Sequence, residues 1–307
     1  MNISPQISKE INDFISSMQW SDCTLKTYKY ALTVFFKWFE SNCKRRGSLP
    51  ARKNIILFKS YMKEKKKLSA NTLDLFHTTL KKFFEWRIRN GKMQSNPMDQ
   101  IKRDQKSKDF MIERLDQNQS ISLLASFDQT KINQLRDYTM VVIMLTMGLR
   151  RIEIVRMNVE DVENNKIRIQ GKGQLYKNQS LELSGIAKDA INDYLSRRKD
   201  IIPSDPMFVS LSDRSKNKRI SPCYISRSVK EHLLKIGIDN PKISCHSLRH
   251  TCAYDILSKT KDENVVQSQL RHASINTTHR YTHGLEQQQN KDKALHAINE
   301  IWRRRIG

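Results

Sequence analysis

The sequence predicts a mainly α-helical protein (α+β in class) with one small β-sheet, folded as two domains. Three observations lead there. Apolar residues recur at helical spacing through the first 95 or so positions, the period breaks in a basic polar stretch near residue 100, and the rest is mostly helical apart from one alternating pair of short segments.

An opening helix is expected over Ile7 to Met18. Ser21 to Cys43 carries Leu25, Tyr28, Leu32, Phe35, Phe36 and Phe39 on one face, with Ser21 placed as N-cap. A third helix centres on Ile55, Phe58 and Met62 and runs into the basic stretch Lys63 to Lys67. Asn71 to Asn90 repeats the pattern through Leu73, Phe76, Leu80, Phe83 and Phe84, with Asn71 placed to cap it and Gly91 to stop it. These elements make a helical domain over 1–95.

Between Gly91 and Phe110 no apolar period survives, and Asn96-Pro97 is followed by Lys102, Arg103, Lys106 and Lys108. A linker is expected over 96–111. Two readings of its charge stand side by side: a cationic strap against DNA phosphates, with Lys102, Arg103 and Lys106 as contacts, or an ordinary solvated connector.

The second domain, 112–307, holds an almost wholly apolar segment from Tyr138 to Met147, which suits a central buried helix ended by Gly148. Ile167 to Ile169 and Ser180 to Leu183 alternate like strands, with Gly171-Lys172-Gly173 in the loop between them, so a β-hairpin is expected. Helices follow at Ile186 to Arg198, Ser221 to Ile236, His246 to Ser258, Glu263 to Leu270 and Gln288 to Arg303.

Charge narrows the partner. Lys and Arg number 55 against 32 Asp and Glu, a formal net charge of +23 over 307 residues that favours a polyanionic partner. Charge alone does not separate DNA from RNA or an anionic membrane surface. The five cysteines form no Cys-x-x-Cys pair and read as reduced intracellular thiols. No apolar run approaches the roughly 18 residues of a membrane span, so a cytoplasmic, nucleoid-associated protein without a membrane partner is expected.

Breaking a phosphodiester without a metal requires cations for the developing charge, a nucleophile, and an acid for the departing oxygen. His246 and His250 stand four apart, but no Glu lies between them and the neighbouring Arg249 opposes a bound cation, so no metal and no cofactor are expected. His246 and Arg249 are three apart and share one helix face, so both can approach one phosphate. An arginine offers that phosphate two parallel hydrogen bonds and a permanent charge.

The C-terminal half presents in order Gly148-Leu149-Arg150, the hairpin Lys172, His246-x-Leu248-Arg249-His250-Thr251, Leu270-x-His272 and, nine residues later, Tyr281. Over residues 112 to 290 this order resembles the tyrosine recombinase (phage integrase) family, and Thr277-Thr278 fits it too. The resemblance implies the tyrosine recombinase fold, with 1–95 as a SAM-like core-binding domain. It implies cutting and rejoining of DNA strands through a 3′-phosphotyrosine, in integration, excision or resolution. Arg150 and Arg249 then clamp the scissile phosphate, Tyr281 attacks it, and Lys172 protonates the 5′ oxygen. His246 serves in proton transfer, and His272 donates to a non-bridging oxygen. Glu153 and Asp161 match acidic positions expected to hold Arg150 and the hairpin in place.

Arg271 departs from the family, where a small residue, commonly Gly, precedes this histidine; as an extra cation it is expected to touch DNA. His250 and His283 adjoin site residues and either orient them or simply pack. The tail at about 288–305 carries Ala294, Leu295, Ile298, Ile301 and Trp302 on one stripe. By resemblance it docks into a neighbouring subunit of a homotetramer on paired sites; the other reading packs it on its own domain. The partner implied is double-stranded DNA with an inverted-repeat recombination site, with accessory proteins possible. The helical domain begins almost at Met1, which favours a simple Xer-like or transposon resolvase-like recombinase without an arm-binding domain. Two rival readings are a type IB topoisomerase-like enzyme and a site-specific binder that does not cleave.

Overall fold

The computed structural model describes residues 3–43, 50–104, 113–171 and 176–271, together with 278–279, 281–282, 284, 286, 290, 293–295, 298–300 and 303. The chain divides into two compact units, Met1–Asp109 and Phe110–Gly307.

The first unit contains α1 (Pro5–Ser16), α2 (Asp22–Asn42), α3 (Arg52–Ser60), which continues into a π-turn at Tyr61–Lys65, and α4 (Ala70–Arg89). The Ser21 hydroxyl accepts the Thr24 N–H at 3.4 Å, as the sequence places it. For α4 the cap is Ser69, whose hydroxyl accepts the Thr72 N–H at 3.3 Å, so Asn71 lies within the first turn instead of capping it. Gly91 ends the segment in the left-handed region, φ 66°. The core is aromatic: Phe14, Phe35, Phe83 and Phe84 are each 0% exposed. Their rings meet edge to face, Phe14 on Phe83 at 5.4 Å and Phe35 on Phe58 at 5.0 Å. One buried ion pair, Arg87 Nε to Glu10 Oε2 at 2.8 Å, ties α4 to α1.

Residues 96–104 of the expected linker lie on this unit. Met98 is 3% exposed and Ile101 packs beside it against the same core. Lys59 Nζ donates to the Lys102 carbonyl at 2.6 Å and pairs with Asp104 at 3.1 Å, while Arg103 pairs with Asp74 at 3.4 Å. Two apolar anchors in a charged run are too few to register as a period, which is why the stretch reads as a free connector. Lys106 and Lys108 lie outside the described residues.

The second unit contains α5 (Gln117–Ala125), α6 (Ile132–Met147), α7 (Arg151–Arg156), a 3-10 turn (Val159–Asp161), β1 (Val162–Glu163), β2 (Lys166–Ile169) and β3 (Gln179–Glu182). Then come α8 (Gly185–Ser196), α9 (Pro222–Lys235), α10 (Cys245–Thr260) and α11 (Glu263–Leu270). The sheet has three antiparallel strands in the order β1-β2-β3, one more than the expected hairpin, with Ile167 opposite Leu181. Ile167 and Ile169 point inward while Lys166 and Arg168 point out. The helix α6 is central: Leu135, Val142, Ile143 and Met144 are 0% exposed, and it packs chiefly on α8 and α10. The expected tail helix is described only in part; Leu295 and Ile298, both in helical conformation, are 59% and 50% exposed.

Candidate active site

The end of α6 sets the geometry. Gly148 has φ 64°, a left-handed turn that L side chains rarely adopt, and a Cβ there would fall 2.3 Å from Leu270 Cδ2 and 3.3 Å from Cys252 Sγ. Both constraints demand glycine. The turn buries Leu149 and puts Arg150 at the N-cap of α7.

Arg150 is fixed from below by Glu153, whose side chain is 0% exposed. Glu153 Oε2 accepts the Arg150 backbone N–H at 2.8 Å, and Oε1 accepts from Arg150 Nη1 at 2.8 Å. The Arg150 side chain is still 27% exposed, so its charge reaches the surface.

Arg249 comes from α10 and is 1% exposed. Its Nη1 donates to the Gly148 carbonyl and its Nη2 to the Leu270 carbonyl, so it straps together the two segments that meet at Gly148. Burial, and next the charge of Arg150, pull its guanidinium down to about 10, which leaves it cationic at neutral pH. The charges of Glu153, Arg271 and Tyr281 also act on it, so these groups converge on one locality.

His246 begins the same helix, where the Ser244 hydroxyl accepts its backbone N–H at 3.3 Å. Its ring keeps an exposed edge and meets His250 at 4.4 Å, edge to face. The protein packed around its other side, then Arg249 and Arg150, hold its pKa below the ordinary 6.5. It is therefore neutral at physiological pH, able to donate at one ring nitrogen and accept at the other.

Tyr281 is 4% exposed and packs among Cys252, Ala253, Leu257, Val266 and Leu270. Its hydroxyl lies 2.7 Å from His250 Nδ1. Because His250 follows Arg249 directly on α10, that hydrogen bond brings the phenol to the arginine's helix. Arg150, His246, Arg249 and Tyr281 are thus brought together; Lys172, His272 and His283 lie outside the described residues. At the base of the hairpin, Asp161 Oδ2 receives Lys177 Nζ at 2.5 Å and the Asn158 N–H at 2.7 Å, tying the β2–β3 connection to the turn before β1.

Arg271 is placed differently from its sequence expectation. Its side chain is 7% exposed and turned inward, with Nη2 2.7 Å from Glu153 Oε2. A local pattern cannot show that a carboxylate 118 positions earlier waits beneath it. The contact of His250 with Tyr281 was open in the sequence for the same reason, although its adjacency to Arg249 was a usable signal.

Comparison with known proteins fixes the class. Residues 113–288 match the phage integrase family, and residues 11–91 match the phage integrase N-terminal SAM-like domain. The chain belongs to the phage integrase family: it is a tyrosine recombinase, an enzyme of site-specific recombination that cuts and rejoins DNA strands.

Its relatives are of the Xer kind. Tyrosine recombinase XerC of Caldanaerobacter subterraneus subsp. tengcongensis is 28% identical over 303 residues, covering 91% of this chain and 83% of that protein. XerC of Alcanivorax borkumensis is 31% identical over 221 residues, covering 70% and 69%. In fold, the chain resembles the XerH site-specific recombinase bound to palindromic difH substrate in a post-cleavage complex, with TM-score 0.71, 21% identity, and coverage of 88% and 78%. A lambda integrase dimer bound to a COC' core site gives TM-score 0.70, 14% identity, and coverage of 90% and 76%.

Proposed function

We propose that this enzyme is a simple-site, Xer-like recombinase in which Arg150 and Arg249 clamp the scissile phosphate for attack by Tyr281. The observation that carries the reading is the convergence of a partly exposed Arg150, a buried Arg249 and the His250-bound phenol of Tyr281 around the Gly148 turn.

The phenol oxygen attacks phosphorus, the bond to the 5′ oxygen breaks, and a 3′-phosphotyrosine and a free 5′ hydroxyl result. Tyr281 gives up its proton as it attacks; His250 Nδ1, at 2.7 Å, is within reach to receive it, and neutral His246 is a second acceptor. Lys172 protonates the leaving 5′ oxygen, and His272 donates to a non-bridging oxygen. A 5′ hydroxyl from the partner strand then attacks the phosphotyrosine, and the protons move back. The phosphodiester energy is kept in the covalent link, so no nucleotide cofactor is required. Arg249 spends one N–H of each Nη on backbone carbonyls, and a guanidinium carries five N–H donors, so donors remain for phosphate. Glu153 and Asp161 hold Arg150 and the hairpin base.

The substrate is double-stranded DNA with an inverted-repeat site, engaged by a homotetramer through the C-terminal helix; exposed Leu295 and Ile298 support that docking. Lys102, Arg103 and Lys106 contact backbone phosphates beside the first unit. No described helix is long and apolar enough to cross a membrane, which fits action on cytoplasmic DNA.

The test incubates the protein with its host replicon, denatures it, and maps where protein stays attached. Attachment through Tyr281 at a discrete inverted-repeat site is expected. A bound but never covalent protein, or relaxation of plasmids lacking paired sites, overturns the reading in favour of a binder or a topoisomerase.

A further inference from the structure

Arg271 sits at the C-terminus of α11 with φ 54°, the left-handed region where a side chain costs conformational energy and glycine does not. Its guanidinium is 7% exposed, and its Nε is buried without a hydrogen-bond partner among the described residues. A glycine here would avoid the strain, the buried charge and the orphan donor together, so stability alone does not account for an arginine. Strain that persists in this way points toward function.

What the arginine touches identifies that function. Nη1 donates to the Gln269 carbonyl at 3.2 Å, which anchors the guanidinium to its own turn, and Nη2 donates to Glu153 Oε2 at 2.7 Å. That oxygen also accepts the Arg150 backbone N–H at 2.8 Å, while Oε1 accepts Arg150 Nη1 at 2.8 Å. With Arg271 in place each carboxylate oxygen is held by a different arginine side chain. Without it, Oε2 keeps only the Arg150 backbone N–H, and the carboxylate can swing with Arg150. Sharing one anion between two cations also leaves the cluster net positive where a phosphate must enter.

We propose that Arg271 is a positioning residue of the cleavage site, bracing Glu153 so that Arg150 presents its guanidinium in one fixed orientation to the phosphate. This rests on Arg150 acting as a phosphate clamp, the reading proposed above.

The experiment compares the wild type with Arg271→Gly, Arg271→Lys, Glu153→Gln and the Gly/Gln double variant on a duplex carrying the mapped cleavage site. Single-turnover formation of the covalent adduct, DNA affinity and Tm are measured for each. Arg271→Gly is expected to slow adduct formation about 10- to 100-fold, the scale typical of supporting residues. DNA affinity should stay within about 2-fold, because no phosphate contact is lost, and Tm should hold or rise. Arg271→Lys keeps a charge without the fork and recovers part of the rate. The double variant should be no slower than Glu153→Gln, since both changes act through one carboxylate. Wild-type cleavage by Arg271→Gly, a loss of affinity with a shallower salt slope, slowing that only follows a fall in Tm, or additive effects in the double variant would each overturn the proposal. Arg150→Ala separates the two levels: if that variant still forms adduct at the wild-type rate, the clamp reading itself fails, whereas its inactivity beside an unimpaired Arg271→Gly sinks only the bracing role.

Discussion

The core of the first unit and the charged cluster of the second solve opposite problems. Around Phe83 the contacts are ring on ring, and a buried ion pair, Arg87 with Glu10, bridges two helices. Around Gly148 charged groups are buried together, Glu153 with Arg249 and Arg271, and two backbone turns, at Gly148 and Arg271, are left-handed. The first arrangement is what apolar burial produces unaided. On the proposed clamp reading the second is kept for the phosphate it receives, so changes in the two regions should separate stability from chemistry.

The largest effect should come from the aromatic side. Phe83→Ala removes a ring that is 0% exposed, with a cost of about 3–5 kcal/mol. Denaturant titration of the full chain reads this, and the cleavage rate of the folded, DNA-bound fraction should not change. On the charged side, Arg249→Lys keeps the charge but loses the fork that reaches Gly148 and Leu270. Cleavage should fall about 10²- to 10³-fold, some 2.7–4 kcal/mol in the barrier, in a single-turnover assay. Gly148→Ala meets Leu270 Cδ2 at 2.3 Å in a left-handed turn. It should cost about 1–3 kcal/mol from overpacking, with more from the backbone, and lower Tm and cleavage together.

The smallest effect concerns pH. Burial first, then nearby cations, holds His77, His232 and His246 below the ordinary 6.5, one in the first unit and two in the second. Well above 6.5 these rings are neutral in folded and unfolded chains alike and contribute no pH dependence. Below it the unfolded chain takes up protons first, so stability is lost as pH falls from 6.5 toward the depressed folded values. Unfolding free energies at neutral and mildly acidic pH should show this decline, and His246→Gln should make it shallower.

The same contrast explains what the sequence disclosed. Long periodic helices were legible because packing repeats every few residues: α9 falls at Pro222–Lys235, where a helix over Ser221 to Ile236 is expected, and α6 ends at Gly148 where the left-handed turn requires glycine. Short elements were not. The helix α7 spans only six residues and is set by Glu153, whose carboxylate accepts the Arg150 N–H, and α5 depends on the reciprocal bonds of Asp116 and Gln119. Strand β1, two residues long, exists only because β2 pairs with it. Within the site, the residue types and their order could be read along the chain. The inward turn of Arg271 and the hold of His250 on Tyr281 could not, because each depends on a partner distant in sequence.

The most direct measurement denatures the protein after incubation with end-labelled DNA carrying its mapped site and asks which residue bears the label. Wild type should yield a covalent adduct whose linkage maps to Tyr281, and Tyr281→Phe should bind the same DNA with similar affinity and yield none. An adduct of wild-type yield on the phenylalanine variant, or linkage at any other residue, would contradict the assignment of the nucleophile.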